Sequence, residues 1–375
     1  MKPSLATPPL WQAALAFSVA RVNENRSRLT SFPKVAHDGR WEYADDGGWV
    51  GGHWVGLLWL AYAHTHDDAL CQAARAWAAR LVPRQFDETT HDLGFLFELS
   101  YVLGARITGD AALKPPALNA AQTLSRRFIE RGRFIQAWGA PDAPKERRGR
   151  VIIDTMMNLN LLYWASSETS DPRYASIATE HARTALARQV RPDGSTAHVA
   201  DFDPDTGAFL KQDTHQGLSA TSCWSRGQAW AVYGFTNCYH QTHESVFLDV
   251  ARGLANYALR RLPADRVPYW DYDSPLIPND VRDSSAAAIL ASGLLRLAAV
   301  EPDAAMAERW RVEATRIVES LWQNYSSRGT KELGILLHGT RNKPRGFMDH
   351  GLIYGDYYFV EALMLLGEDS KCPIL

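Results

Sequence analysis

Thr65-His66-Asp67-Asp68 closes an apolar, aromatic helix pattern (Trp54–His64) and opens a charged, amphipathic one (Asp68–Leu81). The same hinge recurs as Thr108-Gly109-Asp110-Ala111, Thr169-Ser170-Asp171-Pro172, Thr242-His243-Glu244-Ser245 and Glu301-Pro302-Asp303-Ala304. Helical hairpins repeating at roughly 40–70 residues predict a closed ring of helix pairs. Counting outward from the hinges gives outer helices near Asp68–Leu81, Pro116–Glu130, Pro172–Val190, Ser245–Leu262 and Ala304–Tyr325, with Leu10–Arg28 as the sixth. Inner helices fit Trp54–His64, Gly94–Ile107, Thr155–Ser167, Gly227–His240, Ser284–Ala299 and Asp356–Leu366. The inner set is nearly free of charge, as helices buried on all sides must be. The predicted fold class is all-α, an (α/α)6 barrel of twelve helices. β-prone runs at Phe134-Ile135-Gln136-Ala137-Trp138 and Val151-Ile152-Ile153 form small hairpins over its mouth.

No linker or low-complexity tract interrupts the 375 residues, so residues 1–375 read as one domain. A hydrophobic share of 46% with 22% charged residues suits a soluble protein with a large core. A net charge of −2 argues against a nucleic-acid partner. No apolar run reaches the ~18 residues that a membrane span needs. Met1-Lys2-Pro3-Ser4-Leu5 lacks the apolar core of a secretory signal. Cys71, Cys223, Cys238 and Cys372 form no paired spacing, so neither zinc nor a disulfide framework is expected. These features place the chain in the cytoplasm. Lys145-Glu146-Arg147-Arg148-Gly149-Arg150, the one dense basic stretch, reads as a solvated loop or as a rim attracting acidic substrate.

The connections into the inner helices are rich in polar and aromatic side chains, and in a ring they converge at one end. Asp92 and Asp154 thereby face a shared cavity, where mutual repulsion and burial raise one carboxyl's pKa and equip it as a general acid. Each Asp, with Asp283, also stands where a helix N-cap belongs. Asp154 stands out because Val151-Ile152-Ile153 and Met156-Met157 surround it with apolar neighbours. Thirteen tryptophans are a heavy load. Those in the connections, Trp49, Trp54, Trp138, Trp224, Trp230 and Trp270, suit the apolar faces of sugar rings, whereas Trp59, Trp77, Trp164, Trp310 and Trp322 read as core. Arg226, in an otherwise uncharged stretch, needs an anion. That anion is either Asp283 or another internal acid, or the carboxylate of a uronic-acid ligand. His198 and Gln216 sit in loops able to add polar contacts. No spacing suggests a metal and no glycine-rich phosphate loop appears, so no cofactor is expected.

Taken together, these segments resemble the unsaturated glucuronyl hydrolases of glycoside hydrolase family 88. The likeness rests on Gly51-Gly52-His53-Trp54-Val55-Gly56, His91-Asp92-Leu93-Gly94-Phe95, Asp154-Thr155-Met156-Met157-Asn158, Trp224-Ser225-Arg226-Gly227-Gln228-Ala229-Trp230, Pro268-Tyr269-Trp270-Asp271, Arg282-Asp283-Ser284-Ser285 and Tyr354-Gly355-Asp356-Tyr357-Tyr358. The resemblance implies an (α/α)6 barrel that removes a 4,5-unsaturated uronic acid from the non-reducing end of lyase-generated oligosaccharides by hydrating a vinyl ether. It implies that Asp154 protonates C4 and then activates the water adding at C5, while Asp92 holds ring hydroxyls and tunes Asp154. By the same likeness His198, Gln216 and Arg226 meet the uronate, and Trp49, Trp138, Trp230 and Tyr354 form the stacking surface. The partner implied is an unsaturated uronic-acid-containing di- or oligosaccharide; nothing in the sequence fixes the oligomeric state. A Ser-x-x-Ser-x-Lys motif of members preferring sulfated disaccharides is missing: after His338-Gly339 stands Thr340-Arg341-Asn342-Lys343-Pro344-Arg345-Gly346. A two-carboxylate glycosidase acting on saturated sugars is the alternative reading. A sugar epimerase, which would want paired histidines, and a catalytically silent binder fit less well.

Overall fold

The hinges work through three side-chain roles. In each of the first four, the threonine hydroxyl donates to the carbonyl four residues back and accepts the amide two residues on (Thr65 to Ala61 and from Asp67; Thr108 to Gly104 and from Asp110). Thr169 and Thr242 repeat the pattern. The next residue turns left-handed, at φ 55° for His66, 71° for Gly109, 57° for Ser170 and 56° for His243. Asp67, Asp110, Asp171 and Asp303 then cap the following helix.

The computed structural model describes residues 10–145 and 148–367. Met1 to Leu5, Glu146-Arg147 and Cys372, named above, lie outside the described residues. Within them, twelve helical rods alternate along the chain. They are α1 (Leu10–Arg28), α2 (Gly51–Thr65), α3 (Asp68–Ala79), α4 (93–108), α5 (Lys114–Ser125), α6 (Thr155–Thr169), α7 (Pro172–Gln189), α8 (Ser225–Thr242), α9 (Ser245–Arg261), α10 (Ser284–Val300), α11 (Ala304–Asn324) and α12 (Ile353–Leu366). A π-turn at Glu98–Val102 runs through α4. The even-numbered helices touch in cyclic order, α2 to α4, α6, α8, α10, α12 and back to α2, and each odd-numbered helix packs outside this circle. One buried apolar cluster runs from Ala14 to Met364. Among the described residues no helix is long and apolar enough to cross a membrane.

Glycine sets how closely the inner helices approach. A Cβ on Gly52 would lie 2.0 Å from the Phe95 carbonyl oxygen, and one on Gly94 would lie 2.4 Å from Asn158 Cα. Asn158 Oδ1 accepts the Phe95 amide at 2.8 Å, pinning the start of α4 to α6. This close packing corrects the expected boundaries. α2 starts at Gly51 rather than Trp54, α8 at Ser225 rather than Gly227, and α12 at Ile353 rather than Asp356. Glycines at these starts are contact points, and Arg226 and Tyr354, expected in connections, belong to helices. α5 stops at Ser125, short of Glu130, because Phe128–Ile129 leaves to pair as a strand.

Three small antiparallel sheets cap one end. β1 (Phe32–His37) lies between β2 (Arg40–Ala44) and β8 (Gly351–Leu352); β3 (Phe128–Ile129) pairs β4 (Phe134–Ile135); β5 (Arg150–Ile152), β6 (Val199–Phe202) and β7 (Phe209–Asp213) form the third. The two runs read as β-prone are β4 and β5, though they pair with other partners rather than with each other. β5 leads directly to Asp154, and the Ile153 amide donates to the His198 carbonyl at 3.0 Å to hold that approach.

Candidate active site

Asp92, Asp154 and Asp283 look alike in sequence, yet their surroundings separate them. Asp283 is fully buried, caps α10 through the Ser285 and Ala286 amides and accepts Arg226 Nη1 at 2.5 Å. It is an internal anchor. Asp154 precedes α6 with φ −58° and ψ −26°, already helical, and its side chain caps nothing. Asp92 precedes α4, and its side chain caps nothing either. Its Oδ2 accepts the Thr90 hydroxyl at 2.7 Å, and its Oδ1 lies 3.4 Å from His91 Nε2. The buried His91 ring is held in turn by Thr155 Oγ1 at 2.8 Å from Nδ1.

Both free carboxyls line one cavity of about 220 Å³, together with Trp49, Trp138, Gln216 and Arg226. Six of the nine residues expected at the site therefore meet there. The other three stand behind the wall. His198 is buried, with Nδ1 accepting the His215 and Gln216 amides at 3.2 Å each, so its proton sits on Nε2. That nitrogen faces Asp154 Oδ2 at 3.6 Å. Burial holds the ring neutral, with its pKa well below the usual histidine value. Trp230, expected on the stacking surface, is 1% exposed and stands beside Asp154, whose pKa its indole lowers. Tyr354, 1% exposed, lies under Trp49 with ring centroids 4.8 Å apart. Of the remaining connection tryptophans, Trp54, Trp224 and Trp270 are buried, so among these tryptophans only Trp49 and Trp138 line the cavity, where Phe347 joins them. The five tryptophans read as core are all buried.

Arg226 pairs internally with Asp283, as one of its two sequence readings expects, and also lines the cavity. Besides Asp283, it donates to the Thr340 and Arg341 carbonyls at 2.7 and 2.8 Å. Burial opposes its charge, but Tyr354, Asp283 and Asp154 more than compensate and raise its pKa. Sequence reasoning missed His91, His215 and Arg341 on the cavity wall. His91 adjoins Asp92 in the same quoted motif, and its adjacency was the available signal. Of the cations after His338-Gly339, Arg345 faces the cavity, whereas Lys343 binds Asp280.

Burial raises the Asp154 pKa to about 7; Arg226 opposes this, the Asp92 charge adds to it, and the Trp230 indole opposes it. Burial also lifts Glu98 and Asp356 to about 7, so the shift alone selects nothing. Asp356 is spent on the Ile335 and Leu336 amides and Glu98 on Asn160, whereas Asp154 Oδ2 has no hydrogen-bond partner and faces the cavity. A protonatable acid, a second carboxylate, a cation and two aromatic faces form the toolkit of a carbohydrate-processing enzyme.

The chain belongs to Glycosyl Hydrolase Family 88, whose profile matches residues 19–347. It is a glycoside hydrolase by that membership. It is 37% identical over 367 residues to the unsaturated glucuronyl hydrolase of Bacillus sp. (strain GL1), covering 95% of this chain and 97% of that protein. It is also 37% identical over 349 residues to the unsaturated chondroitin disaccharide hydrolase of Streptococcus pneumoniae, covering 90% and 87%. A solved structure of a UGL variant with dGlcA-Glc-Rha-Glc superposes with a TM-score of 0.92 at 35% identity, over 96% of this chain and 97% of the other.

Proposed function

We propose that this enzyme removes the 4,5-unsaturated glucuronic acid from the non-reducing end of lyase-generated oligosaccharides by hydrating the vinyl ether, and that its helices form one (α/α)6-barrel domain working in the cytoplasm. The observation that carries the chemistry is Asp154, protonatable near neutral pH and facing one cavity with Asp92 and Arg226. The closed circle of inner helices supports the barrel, and the free thiols of Cys71, Cys223 and Cys238 suit the compartment. The names of the relatives agree with the reaction.

Asp154 donates its proton to C4, and positive charge develops at C5 and the ring oxygen. Water adds at C5, returning a proton to the Asp154 carboxylate. The resulting hemiketal opens to a ketone, and the freed hemiacetal at C1 releases the shortened sugar. No covalent nucleophile is required. Asp92, oriented by Thr90 and His91, accepts ring hydroxyls, and its charge keeps Asp154 protonated. Arg226 attracts the uronate through its charge, although its η nitrogens already serve Asp283 and the two carbonyls. Gln216 adds a polar contact to the uronate, and Trp49 and Trp138 cover the ring. His198, Trp230 and Tyr354 position this set from behind.

The conjugated uronate absorbs in the ultraviolet. Incubation with a lyase-made unsaturated disaccharide is expected to abolish that absorbance. Activity confined to saturated aryl glycosides would overturn the proposal in favour of a two-carboxylate glycosidase.

A further inference from the structure

The catalytic cavity, about 220 Å³, is smaller than the ~300–1,000 Å³ of typical ligand pockets, and a disaccharide must extend beyond it. A second depression of about 710 Å³ adjoins it and shares Trp138 as a wall. Two strands run from one into the other. On β5, Arg150 lines the groove and Ile152 the cavity; residues two apart on a strand share a face. Along β7 and just beyond it, Lys211 lines the groove and His215 the cavity. Trp138 joins the two, with the His215 ring 5.0 Å away and the Arg150 guanidinium 6.0 Å from its centroid.

Among the described residues the groove's four cations are all paired, Arg148 with Asp205 at 3.4 Å included. Arg150 binds Asp201 at 2.7 Å and Asp213 at 3.3 Å; Lys145 binds Asp203 at 2.8 Å; Lys211 binds Asp213 at 3.1 Å. Paired cations offer a polyanion little net attraction. Fixed donors and acceptors beside the Trp138 ring and the 61%-exposed Leu210 suit hydroxyl-bearing, uncharged rings instead.

We infer that this groove binds the uncharged sugar units that follow the terminal uronate in a longer chain, so the enzyme favours neutral oligosaccharides over disaccharides. The inference rests on the proposed function and adds the position and chemistry of its leaving-side site. The test compares kcat/KM for an unsaturated disaccharide, a neutral unsaturated tetrasaccharide with the same terminal linkage, and a sulfated tetrasaccharide. The neutral tetrasaccharide is expected to exceed the disaccharide about tenfold, the scale of one added aromatic contact. Leu210→Asp and Lys211→Ala, both exposed substitutions on β7, are expected to erase that gain while leaving disaccharide turnover within about twofold. Disaccharide turnover with no tetrasaccharide gain overturns the groove alone, as does a gain as large for the sulfated chain or one indifferent to both substitutions. No turnover of any unsaturated substrate overturns the hydrolase reading and the groove with it.

Discussion

At the scale of single residues, Asp154 holds a proton near pH 7 because burial penalises its charge and Asp92 adds repulsion. Asp154→Asn is expected to fold, bind substrate and lower kcat at least ~100-fold, measured by the ultraviolet assay. The same substitution should stabilise the protein in alkaline solution. An acid whose folded pKa is raised contributes its stability at low pH and loses it as pH climbs toward 7. The folded wild type then pays for a buried charge that asparagine lacks, up to about 4 kcal/mol above pH 7 and little near pH 4. Denaturant titrations at the two pH values measure this gap. In wild type, kcat/KM should fall as pH rises through about 7, where the acid ionises. Trp230 favours the ionised form, so Trp230→Phe is expected to move that limb to higher pH. Three aspartates before three apolar helices were legible as candidates in the sequence. Which one caps its helix was not, because the answer depends on backbone angles at Asp154 and on Arg226 reaching Asp283. His198 and Trp230 were expected on the cavity wall and lie behind it, since adjacency in sequence does not say which side of a wall a ring occupies.

Among the elements, the hinges were readable because threonine, a left-handed residue and aspartate act within four consecutive positions. Strands were harder. β5 and β6 pair across a long stretch of chain, as Arg150 does with Asp201, whereas β1 and β2 form a local hairpin whose Asp38-Gly39 turn was a signal the sequence reading passed over. Gly51, Gly52 and Gly227 lie inside helices where neighbouring groups pass too close for a side chain, which the sequence did not reveal. Gly94→Ala tests that account. Its methyl group would meet the Asn158 backbone, and the expected cost is about 1–3 kcal/mol of unfolding free energy. Because Asn158 follows Asp154 on α6, activity should drop beyond what the lost stability explains.

Over the whole molecule, the circle of inner helices is tied by polar contacts as well as packing. Glu361 of α12 accepts the Tyr233 hydroxyl of α8 at 3.1 Å and Arg296 Nη2 of α10 at 3.1 Å, all in the buried interior. Glu361→Ala should lower stability by about 3–5 kcal/mol, since it removes the buried carboxylate on which Tyr233, Ser292 and Arg296 converge. If the network only braces the ring, folded variant should retain wild-type KM. Thermal melting paired with steady-state kinetics separates the two effects.

Arg226 reaches the segment after Gly339 through the carbonyls of Thr340 and Arg341, not through any side chain there. Every amino acid supplies that carbonyl, so the anchor makes no demand on which residues the segment carries. Positions such as Arg341 and Arg345 can therefore drift, or be exchanged by an engineer, while the strap keeps its seat above the acid. Such a peg constrains the backbone of the segment and leaves its side chains to vary.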